Sequence, residues 1–197
     1  MQLVFMQKAD VIKEYAKNVL SEKRFVHTVN VAEEAKRLAA VWGEDTERAY
    51  LAGIIHDIAK EVSESKALNA LAEYGYNPDE TERQNPELLH GKLAAYIAKD
   101  KFGIDDAGVL SAVTYHTTGR PEMSLLEKII YVADFTEPGR IYPEAEKIRN
   151  LAEQNIDKAV LCQADMVIKF IIDKGRPLHI DTVNTRNYFL LKLKEEL

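Results

Sequence analysis

The chain has 197 residues, 46% of them hydrophobic, and a formal net charge of −6; that is enough for one good core or two small domains and excludes long disorder. The acidic balance argues against nucleic-acid binding through a broad basic surface, no apolar run approaches the roughly 18 residues of a membrane span, and the first stretch, MQLVFMQKAD, lacks the basic segment and apolar run of a signal peptide. A single cysteine, Cys162, excludes an intrachain disulfide and a cysteine-based zinc site, and fits a reducing, cytoplasmic setting.

Apolar residues recur at three- and four-residue spacings almost throughout, and strict alternation is nearly absent, so the fold class is all-α. The periodicity predicts helices over 8–20, 22–42, 46–59, 64–74, 87–102, 106–116, 125–136, 143–153, 157–174 and 183–195. Several ends carry their own signals. Asn85-Pro86 reads as an N-cap and first helical position, Ser124 with Glu127 as a capping box, and Gly175 before Pro177 as a stop. Repeats, low-complexity tracts and Pro/Gly/Ser linkers are absent, so residues 1–197 read as one helical domain. The tail from Thr182 is expected to pack on the outside, and the apolar C-terminal helices offer a surface for a homodimer.

The polar residues on apolar faces carry the chemistry. His56 and Asp57 interrupt the run LAGIIHDIAKEV, which is apolar nearly all round and therefore reads as a buried helix. His27, His90 and His116 also border apolar stripes, and Asp134 continues the line of Ile130 in KIIYVADF. Each alone is readily a core side chain satisfied by a hydrogen bond. Together they are four imidazoles and two carboxylates directed inward from five helices, and separate burial would need six separate compensations. A shared pair of divalent transition metals satisfies all six. His56 and Asp57, about 100° apart on a helix, can lean toward one centre while Asp57 bridges two ions.

The order His27, His56-Asp57, His90, His116, Asp134 resembles the HD-domain metal-dependent phosphohydrolases over residues of about 20–140, which would make that stretch the metal-binding core and 143–197 helices packed on it. RFVHTVNVAEEA, LAGIIHDIAKEV, LLHGKLAA, HTTGR and ADFTEPGR narrow the resemblance to the YqeK-type branch of symmetrical bis(5′-nucleosyl)-tetraphosphatases. The resemblance implies a dinucleoside polyphosphate substrate, diadenosine tetraphosphate split into two ADP, and iron as the metal. The donor types themselves also accept Mn, Zn or Ni. In that picture His27, His56, Asp57 and Asp134 hold one ion, and His90, His116 and Asp57 the other, with a bridging hydroxide attacking near the middle of the phosphate chain. Other phosphoesters, and a nucleotide-binding regulator with a degenerate site, are the rival readings.

Cations are expected around such a centre. Lys60, three residues after Asp57, is a candidate phosphate contact, against a surface lysine pairing with Glu61 or Glu64. Arg120, past the turn at Gly119, and Arg140, in EPGR, offer bidentate forks. Lys92, Arg24 and the Thr117 hydroxyl complete the candidates, each with an ordinary structural alternative. Asp57, Lys60, Arg120 and Arg140 are the expected catalytic group. His179 reads as an ordinary loop histidine, and Tyr115, Tyr131 and Phe135 as core aromatics.

Overall fold

A computed structural model describes residues 2–195, with side chains from residue 5. Among the described residues the chain forms eleven α-helices and no strand. In order these are α1 (Gln2–Val19), α2 (Glu22–Trp42), α3 (Thr46–Ile55), α4 (Glu64–Glu73), α5 (Glu80–Gln84) and, after a 3₁₀ turn at Pro86–Leu89, α6 (His90–Phe102). There follow α7 (Ala107–Tyr115), α8 (Leu125–Thr136), α9 (Pro143–Gln154), α10 (Ile156–Asp173) and α11 (Ile180–Glu195). No described helix is long and apolar enough to cross a membrane.

Short polar side chains open most of the helices that matter, because the first-turn N–H groups lack intrahelical partners. Ser21 caps α2, Asp45 caps α3, Asp106 caps α7, and Ser124 with Glu127 closes the expected capping box on α8. Left-handed glycines, Gly43 at φ 73° and Gly103 at φ 60°, end α2 and α6.

Several boundaries differ from the sequence reading, among them the starts of α1, at Gln2 rather than 8, and of α11, at Ile180 rather than 183. The α-helix expected over 46–59 stops at Ile55, and residues 56–62 wind on through i→i+3 bonds from Ile58 N, Lys60 N and Val62 N to the carbonyls of Ile55, Asp57 and Ala59. Asn85 stands before a 3₁₀ turn and makes no side-chain cap, so the helix expected at 87 begins at His90. The five-residue α5 has too few apolar positions for a helical period to register.

Helix α3 is the centre of the bundle and touches α1, α2, α6, α7 and α8. Its apolar residues Leu51, Ile54 and Ile55 are fully buried, as its all-round apolar pattern demands. At Gly53 the backbone of α2 comes so close that a Cβ there would sit 2.5 Å from Ala32 Cα.

The C-terminal helices are fastened to this bundle by specific polar contacts. Trp42 Nε1 donates to Ala152 O at 2.8 Å, tying α2 to α9. Asp157 of α10 accepts from Lys128 of α8 at 2.7 Å and Lys192 of α11 at 2.6 Å. Thr185 of α11 donates to Thr118 O at 3.2 Å and covers Gly119, whose φ of 65° makes the turn after α7.

Candidate metal centre

Three of the four histidines lie where helices begin or end. His56 and His116 are the C-caps of α3 and α7, and His90 opens α6 after the 3₁₀ turn. Carbonyls at such ends lack intrahelical partners, and each ring uses one. His56 Nδ1 donates to Gly53 O at 2.6 Å, His116 Nδ1 to Val113 O at 2.7 Å, and His90 Nδ1 to Glu87 O. His27, buried on α2, instead donates from Nδ1 to Glu137 Oε1 at 3.1 Å. With Nδ1 turned to a carbonyl or carboxylate, each ring directs its Nε2 at the centre.

Those Nε2 atoms converge on Asp57, which is 2% exposed. Its Oδ2 lies 3.3 Å from His56 Nε2 and 3.6 Å from His27 Nε2; its Oδ1 lies 3.2 Å from His90 Nε2 and 4.0 Å from His116 Nε2. One carboxylate oxygen thus faces each pair of imidazoles. Asp134, on the last turn of α8, brings Oδ1 to 3.0 Å from His27 Nε2 and 4.0 Å from His56 Nε2.

The donor set suits a cation. His90 Nε2 and His116 Nε2 stand 2.9 Å apart, and His27 Nε2 and His56 Nε2 are buried without a hydrogen-bond partner. Neutral rings that donate from Nδ1 would here set Nε2 lone pairs against one another and against the carboxylates. A positive charge among them removes both the repulsion and the cost of buried unsatisfied atoms. His27, His56 and Asp134, and separately His56, Asp57 and His116, are grouped closely enough to hold a metal ion.

Electrostatics point the same way. Burial raises the Asp57 carboxyl, but His56 and His90 outweigh it and hold the group well below its ordinary range. Asp134 is held down against burial by His27 and His56. Burial and the nearby His90 and His56 push His116 down to about 3, leaving it neutral. Burial also opposes charge on His56, yet Asp57 and Asp134 raise it; the carboxylates that favour a proton there favour a metal cation equally well.

Residues 24–139 match the HD domain family model. The chain belongs to the HD-domain family. A symmetrical bis(5′-nucleosyl)-tetraphosphatase of Halalkalibacterium halodurans is 39% identical to this HD-domain protein over 89% of the chain and 93% of the relative. The enzyme of the same name from Bacillus subtilis is 37% identical over 88% and 93%. A crystal structure from Clostridium acetobutylicum, described as a predicted HD superfamily hydrolase involved in NAD metabolism, superposes with a TM-score of 0.90 at 45% identity, covering 93% of this chain and 97% of that one.

The HD domain brings four of the expected phosphate contacts to the centre. Arg24 Nη1 donates to Asp57 Oδ2 at 2.9 Å, and Arg140 Nη2 lies 3.5 Å from Asp134 Oδ1. Lys60 Nζ stands 3.5 Å from His90 Nδ1, and Thr117 Oγ1 is 3.2 Å from His116 Nε2. A cavity of about 470 Å³ opens over His27, bordered by Arg24, Asn30 and Arg140.

Two expected cations are elsewhere. Lys92 pairs with buried Glu82 at 2.6 Å, and Glu82 also accepts from the Tyr76 hydroxyl. Arg120 is a fork on buried Glu127, at 2.6 and 2.9 Å, and so fixes the start of α8. A buried carboxylate needs a fixed partner, and Glu82 and Glu127 each find one in these cations. His179 is 5% exposed, not an ordinary loop side chain. Its Nε2 lies 3.2 Å from Asp79 Oδ2 and its Nδ1 accepts from Asp181 N, joining the start of α11 to α5.

Glu137 and Asn30 belong to the site but were not singled out from sequence. Glu137, 3% exposed, accepts from His27 Nδ1 and from Asn30 Nδ2 at 3.0 Å. Its signal was the EPGR stretch itself, whose glycine N–H closes back on the same carboxylate. Asn30, three residues after His27, shares its helix face.

Proposed function

We propose that this protein hydrolyses dinucleoside tetraphosphates symmetrically, breaking the central P–O bond of diadenosine tetraphosphate with one water to release two ADP. The observation that carries the reading is Asp57, one oxygen toward His27 and His56 and the other toward His90 and His116. It is supported by relatives of that name aligned over nearly their whole length. His27, His56, Asp57 and Asp134 would hold one divalent ion, and His90, His116 and Asp57 a second; iron is the proposed metal, with Mn, Zn or Ni suited to the same donors. Such ions supply a water of lowered pKa and neutralise phosphoryl charge.

The protein's own groups do the rest. Arg24 and Arg140 offer guanidinium forks beside the carboxylates, where phosphate oxygens are best received. Lys60 adds a point charge near His90, and Thr117 a hydroxyl donor near His116. Glu137 holds the His27 ring in the tautomer that presents Nε2.

The test is product identification with protein purified without oxygen, together with metal analysis of the same sample. Two ADP supports the proposal; ATP plus AMP indicates asymmetric cleavage, and no turnover moves the activity to another phosphoester. Asp57→Ala is expected to lose both metal and turnover. Full metal content in that variant would sink the bridging role.

A further inference from the structure

Helix α8 ends without the closure a helix commonly finds, in which the N–H groups of the two residues after the cap bond back to its last carbonyls. The cap is Glu137, at φ −53° and ψ 153°, with the extended ψ that a following proline imposes. Pro138 has no N–H to give, and the N–H of Gly139 goes to the Glu137 carboxylate instead. A Cβ on Gly139 would meet both oxygens of that carboxylate at 2.9 Å, so the close fit needs the glycine. Thr136, fully buried, is left with a carbonyl that must be paired from outside its own helix.

Arg149 of α9 supplies the partner. Its Nε and Nη2 donate to Thr136 O at 3.0 and 2.7 Å, and Nη2 also reaches Glu137 O at 3.4 Å and Arg140 O at 3.3 Å. One guanidinium therefore joins the two ends of the loop 136–140, and its charge complements the negative end of the α8 dipole. The helix that carries it is held separately: Ala145, Ile148 and Ala152 are buried, and Trp42 donates to the Ala152 carbonyl.

The loop so closed carries two groups of the centre. Glu137 receives His27 and Asn30, and Arg140 lies 3.5 Å from Asp134 Oδ1 and 3.7 Å from Glu137 Oε1. Arg149 itself does not border the cavity over His27, and it lies beyond the 24–139 family match. We propose that Arg149 is a positioning residue of the metal centre, fixing the loop from which Glu137 orients His27. Resting on the metal-centre reading above, this role ties metal affinity to a side chain that touches no ligand. Without the guanidinium the loop opens at Thr136, and Glu137 loses its place against His27 Nδ1.

The experiment titrates Mn(II) into metal-free protein by calorimetry, with a melting curve for each sample. Wild type is compared with Arg149→Met, Glu137→Gln, the double variant and Trp42→Phe. Arg149→Met is expected to bind Mn(II) about tenfold more weakly, at the lower end of the range for groups that orient metal ligands. Because Arg149 acts through Glu137, the double variant stays within about twofold of Glu137→Gln alone. Trp42→Phe cuts α9 from α2 but leaves the loop closed, so it lowers the melting temperature and keeps Mn(II) affinity within about twofold. Should Arg149→Met melt below the assay temperature, the same outcomes are read from Arg149→Lys, whose single ammonium replaces the fork. Wild-type Mn(II) affinity in the Arg149 variant, losses that multiply in the double variant, or an equal loss in Trp42→Phe overturns the role and leaves the centre standing. A wild-type protein that takes up no Mn(II) overturns the metal-centre reading, and the role with it.

Discussion

Replacing Gly53 with alanine tests whether the approach of α2 to α3 sets the geometry of the centre. The new Cβ would stand 2.5 Å from Ala32 Cα and 3.0 Å from Ala32 N. Ordinary contact begins at 3.4 Å, so the helices must part by 3.4 − 2.5 = 0.9 Å. Both obstructing atoms are backbone in a buried helix, so no side chain can swing aside. Overpacking costs about 1–3 kcal/mol, and a rigid backbone clash falls at the upper end. In a chain of this size each kcal/mol moves Tm by about 2–4 °C, giving a fall of about 6–12 °C. His27 rides on α2 and His56 is fastened to the Gly53 carbonyl, so the same movement separates two of the proposed ligand atoms. A displacement near 1 Å costs about 100-fold in rate. Calorimetry and diadenosine tetraphosphate turnover measure the two effects. Gly43→Ala, with nothing within 4 Å of its Cβ position, is the control and loses about 1 kcal/mol to left-handed strain. A Gly53→Ala protein melting within about 2 °C of wild type with unchanged turnover would refute the reasoning.

Glu137→Gln weakens the acceptor that fixes His27, and a loss of about 10–100-fold in metal affinity or activity is expected, read by metal content and kcat with the melting temperature as reference. Lys60→Ala is expected to raise KM with little change in Tm, whereas Lys92→Ala, which strands buried Glu82, lowers Tm instead; the reverse pattern would reassign both lysines. Glu127→Gln should cost about 3 kcal/mol at neutral pH, measured by urea unfolding, because a buried carboxylate loses its charge beside Arg120. Burial raises the Glu127 carboxyl, but Arg120, Ser111 and Ser124 hold it below the ordinary 4.5. Its stabilisation is therefore complete above that value and fades as pH falls through the lower folded-state value, so the gap between wild type and variant should narrow in acid. A gap independent of pH would contradict the assignment.

The bundle and the convergence of six side chains were legible in the sequence because both depend on local pattern. A His or Asp on an otherwise apolar helical face has to be compensated, and six such positions in one chain share a compensation more easily than they find six. The end of α3 was not legible: LAGIIHDIAKEV keeps its helical period beyond Ile55, while the His56 ring captures the Gly53 carbonyl and the winding tightens. The cations divided for a similar reason. Arg24 and Arg120 look alike on paper, but a buried carboxylate waits beside Arg120 and the centre itself beside Arg24. Which partner a long side chain finds is decided by helices meeting across the bundle, as Lys92 and Glu82 do, and no spacing rule encodes that.

Thr185 lies 46 residues beyond the end of the 24–139 family match, yet its hydroxyl grips the turn that carries the chain away from His116. Sequence variation at that remote threonine should therefore track variation in the HTTGR turn rather than in its neighbours on the last helix. Grafting the metal centre onto a shorter scaffold would have to bring α11 along, or replace its hold on Gly119 with another.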